Sequence, residues 1–145
     1  MKSIKTDITI NTTTEHVWRI LTNFSAYSQW NPFIRSIEGQ ATVGSRLTVS
    51  IQPSQQKIMT FRPTIITLKP YEEFIWKGML FMPGIFDGTH RFILEKLPNQ
   101  HTRFIQSETF TGLLHVPIFS MISKSTEQGF KLMNQALKEQ SEKQY

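Results

Sequence analysis

Two residues offer proton chemistry at a readable spacing. His90 shares one face of an extended stretch with Phe92 and Leu94, because alternate residues of a strand point the same way. The following stretch puts Phe104, Gln106, Glu108 and Phe110 on one face. If the two stretches pair across Pro98–Gln100, counting outward from Asn99 sets Phe92 against Gln106 and His90 against Glu108. A carboxylate beside an imidazole favours the charged imidazole, and a buried carboxylate otherwise resists ionising. Such a pair can move a proton, orient a ligand hydroxyl or carbonyl, or satisfy itself as a hydrogen-bonded pair inside a core. The residue types rank self-satisfaction first, ligand orientation second and catalysis third.

Other chemistries lack their residues. Cysteine is absent, which removes disulfides, thiolate nucleophiles and zinc-thiolate sites together. His16, His90, His101 and His115 show no metal-ligand spacing, and no H-E-x-x-H, G-x-S-x-G, phosphate loop or dinucleotide fingerprint occurs. No metal and no cofactor is therefore expected. Sixteen Lys+Arg against eleven Asp+Glu give a net charge of +5, but the basic residues are dispersed, so no nucleic-acid partner is expected. Lys124, Lys131 and Lys138 recur as a solvated helix flank. Arg62 reads as a surface residue or a partner for Glu73.

These groups must be held by a scaffold, and 145 residues suit one domain, 1–145. Ile4, Thr6, Ile8 and Ile10 alternate as in a half-buried strand. Thr12 with Glu15 fits a capping box, and Val17, Trp18, Leu21 and Phe24 follow at helical spacing over 13–23. Residues 25–30 add a short turn, ended by Asn31-Pro32. Strands are predicted near 34–38, 45–52, 57–68, 73–79, 87–97 and 102–111, with a bend at Pro63. A long helix closes the chain at 116–140, its stripe running through Ile118, Ile122, Gly129, Met133 and Ala136, with Phe130 and Leu137 beside it. The polar tail Lys138–Tyr145 is expected to fray. Short connections between consecutive strands imply antiparallel pairing. The fold class is thus α+β: a curved seven-stranded antiparallel sheet, in the order β-α-α-β6-α, wrapped around the last helix.

Alternate turns of such a meander lie at one end. Those at 53–56, 80–86 and 112–117 share an end, and two of them are apolar: Met79–Phe86 and Leu113–Phe119. They read either as a rim around a pocket mouth or as a plug folded into the core. A homodimer through the apolar rim at 79–86 and 113–119 is a further expectation. No apolar run follows Lys2 and Lys5, and none approaches the roughly 18 residues of a membrane span. The expected setting is cytoplasmic.

Several stretches together resemble a known family. Ile10, Val17-Trp18, Leu21 and Tyr27-x-x-Trp30-Asn31-Pro32 open the pattern. It continues through Phe61-Arg62-Pro63, Trp76-x-Gly78, His90-x-Phe92-x-Leu94 and Thr102-x-Phe104-x-Gln106-x-Glu108-x-Phe110-x-Gly112-Leu113-Leu114. In order and spacing these resemble the SRPBCC superfamily (START and birch-pollen-allergen-like), in its polyketide cyclase/dehydrase-like branch, over nearly the whole chain. The resemblance implies a helix-grip fold with an apolar cavity between sheet and C-terminal helix. It implies a small hydrophobic ligand: a lipid, a polyketide-like or an aromatic compound. Relatives that are enzymes open a second reading, a cyclase, dehydratase or isomerase with His90 and Glu108 as the acid-base pair. Chaperone-activating relatives open a third, a protein-interaction module. The candidate ligand-binding residues are Trp30, Phe61, Trp76, Gly78, His90, Phe92 and Phe104, followed by Gln106, Glu108, Phe110, Phe119, Phe130 and Met133. Gly78 is expected to make room in the wall, and Trp30 to fill the seam where the short turn meets the sheet.

Overall fold

The computed structural model describes residues 1–54, 56–80 and 82–143, with Leu80 described through its backbone alone. Strand β1 (Lys2–Ile10) turns Ile4, Thr6 and Ile10 inward, as its alternation requires. Helix α1 (Thr14–Thr22) buries Val17, Trp18 and Leu21. Its cap is Thr13, whose side chain accepts the His16 N–H at 3.2 Å, and not Thr12 with Glu15. Thr12 is held one step outside the helix because its carbonyl accepts the Thr102 hydroxyl at 2.7 Å. A 3₁₀ turn (Phe24–Ala26) and helix α2 (Tyr27–Trp30) follow. The Asn31 side-chain carbonyl then accepts the N–H groups of Phe33 (2.9 Å) and Ile34 (2.8 Å), turning the chain into the sheet.

Strands β2 (Ile34–Glu38), β3 (Thr48–Ile51) and β4 (Met59–Phe61) form one antiparallel arm in that order. Strands β5 (Thr64–Lys69), β6 (Glu73–Leu80), β7 (Phe86–Leu97) and β8 (His101–Thr111) join β1 in the order β1-β8-β7-β6-β5. The strand predicted over 57–68 is therefore two. It bends at Pro63, which has no N–H for the ladder, and its halves pair in different arms. The seven predicted strands become eight among the described residues. The arms are sewn together where Leu47 N–H donates to the Pro63 carbonyl (2.8 Å) and Ile65 N–H to the Ser45 carbonyl (2.9 Å). That seam also shortens the strand predicted at 45–52.

Helix α3 (His115–Glu142) lies in the grip of this curved sheet. The architecture is the α+β helix-grip arrangement. From Thr126 onward α3 is packed down, with Gly129, Phe130, Met133, Asn134, Leu137 and Ser141 buried. Its first three turns sit higher, and Ile118, Phe119 and Ile122 are half-buried. The last turns do not fray: Lys138 pairs with Glu142, which also accepts the Asn11 N–H at 2.8 Å. The β7–β8 hairpin turns at Asn99 (φ 62°) and Gln100 (φ 59°), and its register sets His90 opposite Glu108 and Phe92 opposite Gln106, as counted from the sequence. At the other end, Leu113 and Leu114 N–H donate to the carbonyls of Gly84 and Ile85, both at 2.8 Å. Gly112 (φ 112°) is required there, since a β-carbon would stand 2.6 Å from the Ile85 carbonyl oxygen. Phe81 of the expected rim lies outside the described residues.

Candidate functional site

Where α3 rises from the sheet, a cavity of about 140 Å³ remains. Its floor is Trp76 and Gly78 of β6, Gly88 and His90 of β7, and Glu108 and Phe110 of β8. Phe33, Ile34, Ile51, Met59, Thr60 and Phe61 wall one side, and Ile118, Ile122 and Thr126 of α3 form the roof. Met79 and Phe86 complete the wall. Ile34, Trp76, His90 and Phe110 are buried at the closed end, whereas Met59, Thr60 and Met79 are exposed at the mouth.

Two glycines shape this floor. A β-carbon on Gly88 would stand 2.5 Å from Glu108 Oε2, so Gly88 gives the carboxylate its place. Gly78 makes less open room than expected, because the Phe61 ring fills the space above it, 3.3 Å from where a β-carbon would be. Arg62 is exposed, and Glu73 pairs with Lys69 (3.9 Å) and Arg91 (3.6 Å) instead.

His90 is buried, stacked on Phe92 with ring centroids 4.2 Å apart and packed against Trp76 and Phe130. Its Nδ1 faces Glu108 Oε1 at 3.5 Å, with side chains 4% and 18% exposed. Its Nε2 lies 2.8 Å from Gln106 Oε1. Gln106 Nε2 donates to Asn134 Oδ1 (2.9 Å), Asn134 Nδ2 donates to Thr6 Oγ1 (2.8 Å), and the Thr6 hydroxyl donates to the Gln106 backbone carbonyl at a long 3.5 Å. The direction of this chain follows from its end, since a backbone carbonyl can only accept. Thr6 must donate to it and therefore accepts from Asn134. Asn134 then accepts from Gln106, and the Gln106 oxygen is left to accept from His90. His90 thus carries its proton on Nε2, and Nδ1 with Glu108 faces the cavity. The pair becomes an ion pair when Nδ1 is protonated as well.

A family model described as polyketide cyclase/dehydrase and lipid transport matches residues 1–142. The chain belongs to this polyketide cyclase/dehydrase and lipid transport family. A search of curated proteins by sequence found no match. Among solved structures, the chain is similar to the Zhui aromatase/cyclase of a Streptomyces species, at 13% identity and a TM-score of 0.79, over 97% of this chain and 93% of that one. It is similar to a START superfamily protein of Mycobacterium smegmatis, at 19% identity and a TM-score of 0.76, over 97% of both chains. A likeness to Ara h 8.0201 has 14% identity and a TM-score of 0.73, again over 97% of both. At such identities these neighbours speak for the fold. Among the described residues of this family member, no helix is long and apolar enough to cross a membrane.

The structure brings together six of the sequence candidates at the cavity: Phe61, Trp76, Gly78, His90, Glu108 and Phe110. The others lie elsewhere. Phe92, Phe104, Phe130 and Met133 are fully buried in the closed core, where α3 meets the sheet. Gln106 is also fully buried, and it reaches His90 rather than the cavity. Phe119 is half-buried against Phe110, with centroids 5.6 Å apart. Trp30 packs on Tyr27 and lines a separate surface hollow with His16, Arg19 and Gln140. Sequence reasoning missed Asn134 and, as lining residues, Phe33, Ile34, Ile51, Met59 and Thr60 together with Ile118, Ile122 and Thr126. The four-residue spacing of the last three was the available signal. In the apolar turns, Phe86 and Ile118 turn inward and line the cavity, while Met82 (67%), Leu113 (79%) and Val116 (52%) stand out in solvent.

Proposed function

We propose that the protein binds a small hydrophobic ligand in the cavity beneath the first turns of α3. The observation that carries this reading is a wall of aromatic, aliphatic and methionine side chains, interrupted at its closed end by His90 and Glu108. Apolar burial at about 25 cal/mol per Å² would supply affinity, and the polar pair would fix orientation. The family's match to cyclases and lipid-transport proteins supports a ligand of lipid, polyketide-like or aromatic character. The test is thermal unfolding against a lipophile panel. A ligand at a hundred times its Kd adds about 2.7 kcal/mol and raises Tm by several degrees. No shift across the panel would refute the reading.

A second reading, acid-base catalysis by His90 and Glu108, is favoured by one observation: the pair borders the cavity instead of being sealed behind it. Its test is turnover of an aromatic or polyketide-like substrate that both His90→Ala and Glu108→Gln abolish while the fold survives. Turnover unaffected by either substitution would refute it.

A further inference from the structure

The closed end of the cavity sets two acceptors face to face. The row of bonds from Thr6 through Gln106 favours the His90 tautomer protonated on Nε2, which leaves a lone pair on Nδ1. That lone pair faces Glu108 Oε1 at 3.5 Å. A carboxylate only accepts, so neither partner supplies a proton to this contact. Glu108 accepts no hydrogen bond from the described residues, and its side chain is 18% exposed. It lies in the notch over Gly88, where a β-carbon would stand 2.5 Å from Oε2, and it borders the cavity. Among the described residues of the wall, Glu108 is the one acid, and no Lys or Arg lines it. His90 becomes a cation for it only by taking a second proton.

We infer that Glu108 is a specificity-determining residue: the cavity takes amphiphiles whose head group donates a hydrogen bond, a hydroxyl or an ammonium, and disfavours the same molecules with an anionic head. This rests on the reading of the cavity as a ligand site and narrows it. A donor at the closed end supplies the proton that the contact lacks, and hydrogen bonds to a charged acceptor are the stronger kind. A carboxylate, sulfate or phosphate head would instead bring a second negative charge beside the first, in a wall with few groups to screen it. The mouth at Met59, Thr60 and Met79 is open, so the apolar part of the ligand can extend outward. The net charge of +5 works in the opposite sense and draws anions toward the chain as a whole. A preference against anions would therefore belong to this one carboxylate.

Isothermal titration calorimetry at neutral pH and fixed ionic strength with octanol, octylamine and octanoate tests this, because the three share a tail and differ in the head. Octylamine and octanoate both lose hydration of a charge on entry, so their comparison isolates its sign. Octylamine should bind at least about tenfold more tightly than octanoate, and octanol should also bind more tightly than octanoate. In Glu108→Gln, a change that keeps the shape and removes the charge, the octylamine-to-octanoate ratio should fall by about tenfold or more. The inference is overturned if octanoate binds as tightly as octylamine or octanol, or if Glu108→Gln leaves the ratio unchanged. Should that variant fail to fold, the wild-type ratio of octylamine to octanoate decides. If none of the three binds, the reading of the cavity as a ligand site fails, and the inference with it.

Discussion

The ring of Phe33 rests on the bare backbone of Gly129. A β-carbon at position 129 would stand 2.4 Å from Phe33 Cδ1 and 2.7 Å from Cε1, closer than packed atoms come. Phe33 is buried, edge-packed on Phe130 and part of the cavity wall. This contact fixes how closely the middle of α3 approaches the β2 arm, and so fixes one side of the cavity.

Gly129→Ala should therefore overpack the site and cost about 1–3 kcal/mol. The ring has space to move into the cavity it borders, so binding of ring-sized ligands should weaken as well. Denaturant unfolding and toluene titration measure the two effects. Combining Gly129→Ala with Phe33→Ala should cost less than the sum of the single changes, because one relieves the clash created by the other. Strict additivity would show that the contact is not what limits the packing.

Asn134 is the hub between Gln106 and Thr6, and it is buried. Asn134→Ala strands a buried amide N–H and a hydroxyl, and should destabilise the fold by about 1–3 kcal/mol. It also frees the Gln106 amide to flip, so His90 should populate both neutral tautomers, visible in its imidazole ¹⁵N shifts. A single Nε2–H tautomer persisting in the variant would mean that the chain does not set the proton's position.

Gly88→Ala presses on the flexible end of Glu108 rather than on backbone. The cost to stability should be small, with the carboxylate swinging away from His90. A crystal structure of the variant should show the Nδ1 to Oε1 separation growing beyond 3.5 Å. An unmoved carboxylate would mean that the floor has slack.

Acid should loosen the end of α3. Burial pulls the Glu142 carboxyl upward, but the Lys138 ammonium and the Asn11 N–H outweigh it and hold it below the usual carboxylate range. A carboxyl depressed in the folded state adds stability above its unfolded pKa and loses it as pH falls through the folded value. Glu142 is partly solvated, so this contribution is at most about 1 kcal/mol. The Tm gap between wild type and Glu142→Gln should be open at neutral pH and narrow progressively as the pH falls below 4.5, the ordinary carboxyl value. A gap that does not narrow on acidification would assign the effect to packing.

The register of His90 on Glu108 was legible because a tight hairpin centred on Asn99 leaves one symmetric way to count. The long helix and its stripe were legible from the 3.6-residue period. The partner of His90 Nε2 was not, because Gln106 sits one diagonal step from it and Asn134 reaches in from α3, whose rotation no local pattern fixes. The side wall was missed for a similar reason. Pro63 was visible as a bend, but a bend does not reveal that Met59, Thr60 and Phe61 leave for the β2–β3 arm. Trp30 was placed at the seam correctly in chain order, yet its ring turns to Tyr27 and the outer helices.

The row of bonds from Thr6 to His90 ends on main-chain oxygen, and that ending has a consequence for kinetics as much as for structure. A peptide oxygen cannot reverse its role, so the row favours one polarity. Of the two neutral imidazole forms, the row favours the one with its proton on Nε2, so a ligand of the proposed kind would meet mainly that form. The β8 backbone thereby does for the proton what a preset rotamer does for a side chain.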